Sequence, residues 1–386
     1  MSQDGLDAQL RIYGGADPHA ELPILVEEWR RLAEATLPPG PWGYLEGAAG
    51  AEDTMLANRR AFERWRIRPR FCRDVENRRM DVSLWGQTWH APFLLAPIGV
   101  QSILHPEAEL ASARAAAQLG MPYVLSTVSS VPMERIAEEM GDAIRWFQLY
   151  PGRDPEIVRS FIRRAEAAGY SALVVTVDTT MLGWREQDLR HAYLPFLEGH
   201  GIANFLTDPV FRRGLSQPID DHMLEAIQKF LSVYVNPRFS WEDLAALRRD
   251  TRLPLIVKGL SHPDDVRRAT DVGADGIIIS NHGGRQVDGA VAALDALDDV
   301  MRVAPPTVPI LMDSGIRHAA DVFKALALGA KAVLVGRPYG YGLAVAGQTG
   351  VERVMAHLRA EFDLEMALSG CASIADITRD AVMRRD

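Results

Sequence analysis

A chain of 386 residues with 47% hydrophobic content can bury a large core, either as two ordinary domains or as one large barrel with added segments. Its formal net charge of -9 speaks against a general nucleic-acid binder, whose phosphate contacts need a basic surface. Only Cys72 and Cys371 are present, far apart and without metal-ligand spacing, so neither a disulfide framework nor a zinc site is expected.

The opening stretch, MSQDGLDAQLRIYGG, lacks a charged start followed by a long apolar run, so no secretory signal is read and a cytoplasmic location is expected. No apolar stretch reaches the ~20 residues that a bilayer span requires, so no integral membrane segment is expected. Residues 1–92 precede the first strand-like run and are expected to form a helical cap on one end of the main domain, with hairpin material at Val82 to Trp89.

From residue 93 onward the chain repeats a short apolar run, a turn, and a longer stretch rich in Ala, Glu and Arg. The predicted strands are Phe93 to Gly99, Tyr123 to Ser126, Trp146 to Tyr150 and Ala172 to Asp178, then Leu255 to Gly259, Gly276 to Ser280, Ile310 to Gly315 and Ala332 to Gly336. Continuous apolar runs of this length suit strands buried on both faces by intervening helices. Helices are predicted over Asp154 to Gly169, His262 to Gly273 and Ala319 to Gly329, each stopping at glycine. Strands alternating with helices in this number predict a (β/α)8 TIM barrel over 93–378, followed by a tail at 379–386. A doubly wound sheet is the competing arrangement, weakened because no GxGxxG follows an early strand. The interval from Arg185 to Trp241 is too long for a simple connection, so residues 186–240 are expected to form a lid after strand 4.

Chemistry in such a barrel gathers at the C-terminal strand ends. There the chain carries Gly99, Ser126, Gln148, Tyr150, Thr176, Asp178, Lys258, His282, Arg285, Asp313, Ser314, Arg317, Gly336 and Arg337. Lys258 suits a Schiff-base or general-base lysine, or a fixed cation beside a cofactor that gains negative charge. Asp313, Ser314, Gly315 and Arg317, with Gly336 and Arg337 one strand later, have the make-up of a phosphate site; ordinary turn glycines with surface arginines are the alternative. In SNHGGRQVDG, His282 can take a proton near neutral pH and Arg285 can hold a carboxylate. Asp178 could accept the other imidazole N–H and stabilise the charged ring.

SNHGGRQVDG, together with FQLY, VTVDT, VKG, DSGIRHAADVFKALALGA and VGRP, resembles the FMN-dependent α-hydroxy-acid oxidases and dehydrogenases over residues 22–378. LPPGPWGYLEGAAG, LWGQTWHAPFLLAPIGV, YSALVVTVDTTMLGWREQDL and FLTDPVF resemble one subgroup of that family, the lactate 2-monooxygenases. The resemblance implies FMN at the barrel mouth, contacted by Pro97, Ile98, Gly99, Ser126, Gln148, Thr176, Lys258 and Ser280. It implies a ribityl and phosphate region at Asp313, Ser314, Gly315, Arg317, Gly336 and Arg337. It makes His282 the base, Asp178 its partner, Arg185 and Arg285 the carboxylate clamp, and Tyr44 and Tyr150 hydroxyl donors to the substrate. The implied reaction is oxidation of a small L-2-hydroxy acid such as L-lactate, with the flavin N5 accepting electrons and O2 as final acceptor. Gly99, where many family oxidases carry alanine, is expected to leave room beside the flavin, and the subgroup implies decarboxylation to acetate, CO2 and water. The alternatives are release of the keto acid with H2O2, or electron transfer to a quinone or cytochrome. A homo-oligomer, tetramer or higher, is implied as well.

Overall fold

The computed structural model describes residues 4–216 and 222–385. Eight parallel strands close into a barrel: β1 (Phe93–Leu95), β2 (Tyr123–Leu125), β3 (Arg145–Leu149), β4 (Leu173–Thr176), β5 (Leu255–Leu260), β6 (Gly276–Ile279), β7 (Ile310–Met312) and β8 (Val333–Val335). Each strand pairs with its sequence neighbour, and β8 closes on β1 through Val333 opposite Phe93 and Leu334 opposite Leu94. Every strand lies within or beside its predicted run; most are shorter, because the chain leaves the ladder at residues such as Pro97 and Gly315 to turn over the barrel mouth. The predicted helices appear as Pro155–Ala167, Pro263–Asp271 and Ala319–Ala327. Asp154 caps the first by accepting from the backbone N–H of Glu156 at 2.9 Å.

Side-chain alternation decides what fills the barrel. Leu94, Val124, Trp146, Val174, Ile256, Ile278, Leu311 and Leu334, one from each strand, form a single buried inner cluster. Their neighbours Phe93, Leu95, Tyr123, Leu125, Phe147 and Leu149 belong to a second cluster that includes the outer helices. The hairpin Val82–Leu84 with Gln87–Trp89 joins the inner cluster, and Trp85 Nε1 donates to the Asp275 carbonyl at 3.0 Å. It plugs the N-terminal end of the barrel.

The N-terminal segment reaches the opposite end too, through the helices Pro39–Glu46 and Asp53–Glu63 at the mouth. Trp65–Ile67 pairs antiparallel with Val382–Arg384, so the chain's last strand is held by its first segment. Residues 217–221 of the expected lid lie outside the described residues. The rest of that insertion holds short helices and Met223–Tyr234, joined by an aromatic cluster of Phe196, Phe205, Phe211, Phe230 and Tyr234. Asn204 ties it to the barrel, donating to the Thr127 carbonyl at 3.0 Å and accepting from the Met133 N–H at 2.8 Å. No helix among the described residues is long and apolar enough to cross a membrane.

Candidate active site

Two residues past each member of the inner cluster stand Ala96, Ser126, Gln148, Thr176, Lys258, Ser280, Asp313 and Gly336. The strand period of two returns the chain to the same face one step higher, so a wholly apolar layer is followed by a mostly polar one. Ser126 Oγ donates to Gln148 Oε1 at 3.1 Å, and Gln148 Nε2 donates to Thr176 Oγ1 at 2.9 Å. On the other side Lys258 Nζ donates to Ser280 Oγ at 3.0 Å and pairs with Asp313 at 3.1 Å. The register shifts only after the lysine, between Lys258 and Leu260, where the strand ends. Burial opposes the ammonium charge, but Asp313 and Asp178 outweigh it and raise the Lys258 pKa, so it stays protonated.

Above this layer opens a cavity of ≈ 1050 Å³. Fifteen of the predicted site residues line it: Tyr44, Pro97, Ile98, Gly99, Tyr150, Arg185, Lys258, His282, Arg285, Asp313, Ser314, Gly315, Arg317, Gly336 and Arg337. Ser126, Gln148, Thr176 and Ser280 are buried beneath the wall, and Asp178 stands behind His282.

His282 adopts a left-handed backbone, φ 58°, and Gly283 and Gly284 follow at 67° and 82°. Such a run in a non-glycine residue persists only where surroundings fix it. Here the Ser280 hydroxyl accepts from the His282 N–H at 3.0 Å, and Asp288 accepts from Ala51 and Thr54 N–H groups at 2.8 and 3.3 Å. Gly284 meets the helix Asp53–Glu63 so closely that an added Cβ would lie 2.6 Å from Met55 N. The ring's Nδ1 lies 2.8 Å from Asp178 Oδ1, and Nε2 faces Tyr150 at 3.5 Å. Burial opposes ionisation of Asp178, but His282 and Lys258 outweigh it and hold the carboxyl at about 2. Burial, aided by Lys258, brings His282 below its ordinary value against the pull of Asp178. The ring is therefore neutral at neutral pH, with Nδ1–H on the carboxylate and the Nε2 lone pair toward the cavity.

Arg185 is buried and Arg285 lies half-buried beside it. Arg185 Nε donates to the Arg285 carbonyl at 3.2 Å, and Arg285 lies over the Tyr44 ring with its carbon 5.1 Å from the centroid. Burial, with the charge of Arg185, pulls Arg285 down to about 9. Asp188, 3.9 Å from Arg185, is the carboxylate facing them. Two guanidinium groups held this way favour an anion between them.

At the other end, Arg337 donates to the carbonyls of Leu45, Gly283 and Gly47 at 3.2, 3.0 and 3.0 Å. Gly336 caps the N-terminus of the helical segment Arg337–Leu368, which kinks at Ala346 and Gly347. The phosphate-type donors are thus Arg317, the helix N-terminus and the backbone near Gly315, with Arg337 bracing the loops around them.

The profile of the FMN-dependent dehydrogenases matches residues 33–384. The chain belongs to this family. It is 44% identical to an L-lactate oxidase of Lysinibacillus sphaericus (strain C3-41), covering 95% of this chain and 94% of that one. Identity to a peroxisomal (S)-2-hydroxy-acid oxidase of Oryza sativa subsp. japonica is 40%, over 94% and 96% of the two chains. A crystal structure of mandelate oxidase with (S)-4-hydroxymandelic acid superposes with a TM-score of 0.85 at 38% identity, over 94% and 99% of the chains. The donor set fits the family's cofactor: a buried cation at mid-cavity and phosphate donors at one end.

Three residues on or behind the wall carried no sequence signal. Tyr234, at the end of the insertion's last helix, stands edge-on to Tyr150 with ring centroids 5.4 Å apart. Thr179 donates to Asp178 at 2.8 Å and lies 3.1 Å from His282 Nδ1. Gln286 accepts from Arg185 at 3.0 Å and donates to the Asp178 carbonyl at 2.9 Å. Thr179 and Gln286 adjoin recognised residues in sequence, whereas Tyr234 is brought in only by the fold of the insertion. Gly99 departs from expectation: a Cβ there would lie 2.4 Å from Val128 Cγ2, so the space of the missing methyl is filled by valine.

Proposed function

We propose that the chain oxidises a small L-2-hydroxy acid of lactate size with O2 as final acceptor. The pair Arg185 and Arg285, lining the cavity with a neutral His282, carries this reading: the arginines recognise a carboxylate, and the imidazole stands ready for a proton. The apolar wall of Val128, Leu182 and Leu104, with the rings of Tyr44, Tyr150 and Tyr234, supports a short side chain on the substrate.

When bound, FMN supplies the two-electron acceptor. Pro97, Ile98, Gly99 and Lys258 would hold its ring system, and Asp313 to Arg317 with the helix N-terminus at Gly336 its chain and phosphate, while Arg337 braces the loops around them. Lys258 keeps a fixed positive charge on the wall, which favours added electrons on the group beside it. His282 accepts the substrate proton at Nε2, and Asp178 stabilises the resulting imidazolium through Nδ1–H. Tyr44 and Tyr150 hydroxyls orient the substrate. Burial, with the Asp178 charge adding to it, holds the Tyr150 phenol well above its ordinary range, so it remains a donor.

For the product, we infer that the keto acid stays bound until the H2O2 formed from O2 attacks its carbonyl carbon, so that pyruvate and H2O2 leave together as acetate, CO2 and water. Support comes from the insertion, which seats Tyr234 against Tyr150 and is fastened to the strand ends by Asn204. Release of the keto acid with H2O2 is the second reading, favoured by the relatives named as oxidases. Product analysis in air with L-lactate separates them. Acetate and CO2 support retention, pyruvate with equimolar H2O2 supports release, and absence of O2 uptake with any small 2-hydroxy acid rejects both.

A further inference from the structure

Glu109 is fully buried on the first turn of the helix Ala108–Leu119, outside the barrel and away from the cavity lining. Its Oε1 accepts from the backbone N–H of Gln101 at 3.0 Å and from that of Ser130 at 3.0 Å. These two amides belong to the loops after β1 and β2, whose other residues, Ile98 to Val100 and Val128, wall the cavity. We propose that Glu109 is a positioning residue, one carboxyl oxygen that fixes both loops and thereby sets the cofactor-facing wall at Gly99 and Val128.

The backbone around it is of the kind that needs fixing. Val100 is β-branched yet left-handed, with φ 65°, a conformation that survives only when held from several sides. Its own N–H donates to the Val128 carbonyl at 2.9 Å, and the next N–H, of Gln101, is the one that Glu109 takes. The Gln101 side chain is also saturated, donating to the hydroxyls of Tyr123 and Tyr339 at 3.0 and 3.3 Å and accepting from Ser112 at 2.7 Å. On the second loop, Ser130 donates to Ser102 at 2.8 Å, and Ser102 lies 2.9 Å from His200 of the insertion. A shift of the Glu109 oxygen would therefore be felt at both walls and at the insertion.

Acceptor geometry, rather than charge, performs this task. Burial pushes the Glu109 carboxyl up to about 7 against the hydrogen bonds from Gln101 and Ser130, and a neutral carbonyl oxygen can accept both N–H groups as well.

The inference rests on FMN lying against this wall, and the test separates the two ideas. In the full-length holoenzyme, Glu109→Gln and Glu109→Leu are compared with wild type for FMN dissociation, followed by flavin fluorescence, and for hydrogen exchange of peptides carrying Gln101 and Ser130. Glu109→Leu is expected to weaken FMN binding and speed exchange in both peptides by at least about tenfold, a loss of about 1.4 kcal/mol in binding. Glu109→Gln should stay within about twofold of wild type, as a shape-preserving acceptor. Should the leucine variant fail to fold, Glu109→Asp, too short to reach both amides, is expected to show the same loosening. A folded Leu or Asp variant with unchanged FMN affinity and exchange overturns the inference, as does a Gln variant as damaged as the Leu variant. Wild-type protein that binds FMN but oxidises no 2-hydroxy acid would reject the functional reading and leave this one standing.

Discussion

Replacing Arg285 by methionine keeps much of the apolar stem over Tyr44 and removes the guanidinium that is 5.1 Å from that ring. A hydrogen bond to a charged group contributes about 1.5–3 kcal/mol, equivalent to roughly 10- to 150-fold in affinity. Arg285 also donates to the Gly47 carbonyl at 2.7 Å, so part of the loss is local rearrangement shared by every ligand. The discriminating assay is a substrate pair: L-lactate and its neutral amide, in which the carboxylate charge is gone. Wild type should prefer the acid by at least about tenfold in kcat/KM, and the Arg285→Met variant should lose most of that preference while retaining FMN. If the variant still prefers the acid as strongly as wild type, the arginine does not read the carboxylate.

Asp178→Asn removes the charge that raises His282, so the acid limb of kcat/KM, already below pH 6.5, should move to lower pH while kcat falls by about 10- to 100-fold; a pH–rate series checks both. Only neutral imidazole accepts the proton, and a lower His282 pKa extends the neutral form toward acid. Gly284→Ala forces a Cβ to 2.6 Å from Met55 N at φ 82° and should cost roughly 1–3 kcal/mol of stability, read as a lowered Tm. Gly99→Ala should weaken FMN binding because of Val128, and Val128→Ala should restore it; fluorescence titration of both variants checks the pairing.

The barrel was legible because eight β-branched or apolar runs, bounded by turns and helices, leave few other ways to bury both strand faces. The polar layer was legible for a related reason: strand ends announce themselves where Val257 gives way to Lys258 or Met312 to Asp313. Local sequence could not show what distant segments bring to those ends. Tyr234 reaches Tyr150 through the insertion's aromatic cluster, and Asp288 gains its partners only when Ala51 and Thr54 fold beside it. Gly99 is the sharper case. A glycine in sequence signals room, but whether a neighbour fills that room depends on the Val128 side chain one strand away.

The proposed oxidation of a small L-2-hydroxy acid through FMN depends on His282 taking the proton. Anaerobic mixing of the holoenzyme with L-lactate tests it most directly, by following the flavin's visible absorption. Rapid bleaching with the L-isomer, little with the D-isomer, and at least about a hundredfold slower bleaching in His282→Gln are predicted. Flavin that stays oxidised with every small 2-hydroxy acid, or that bleaches equally fast without His282, would contradict the account.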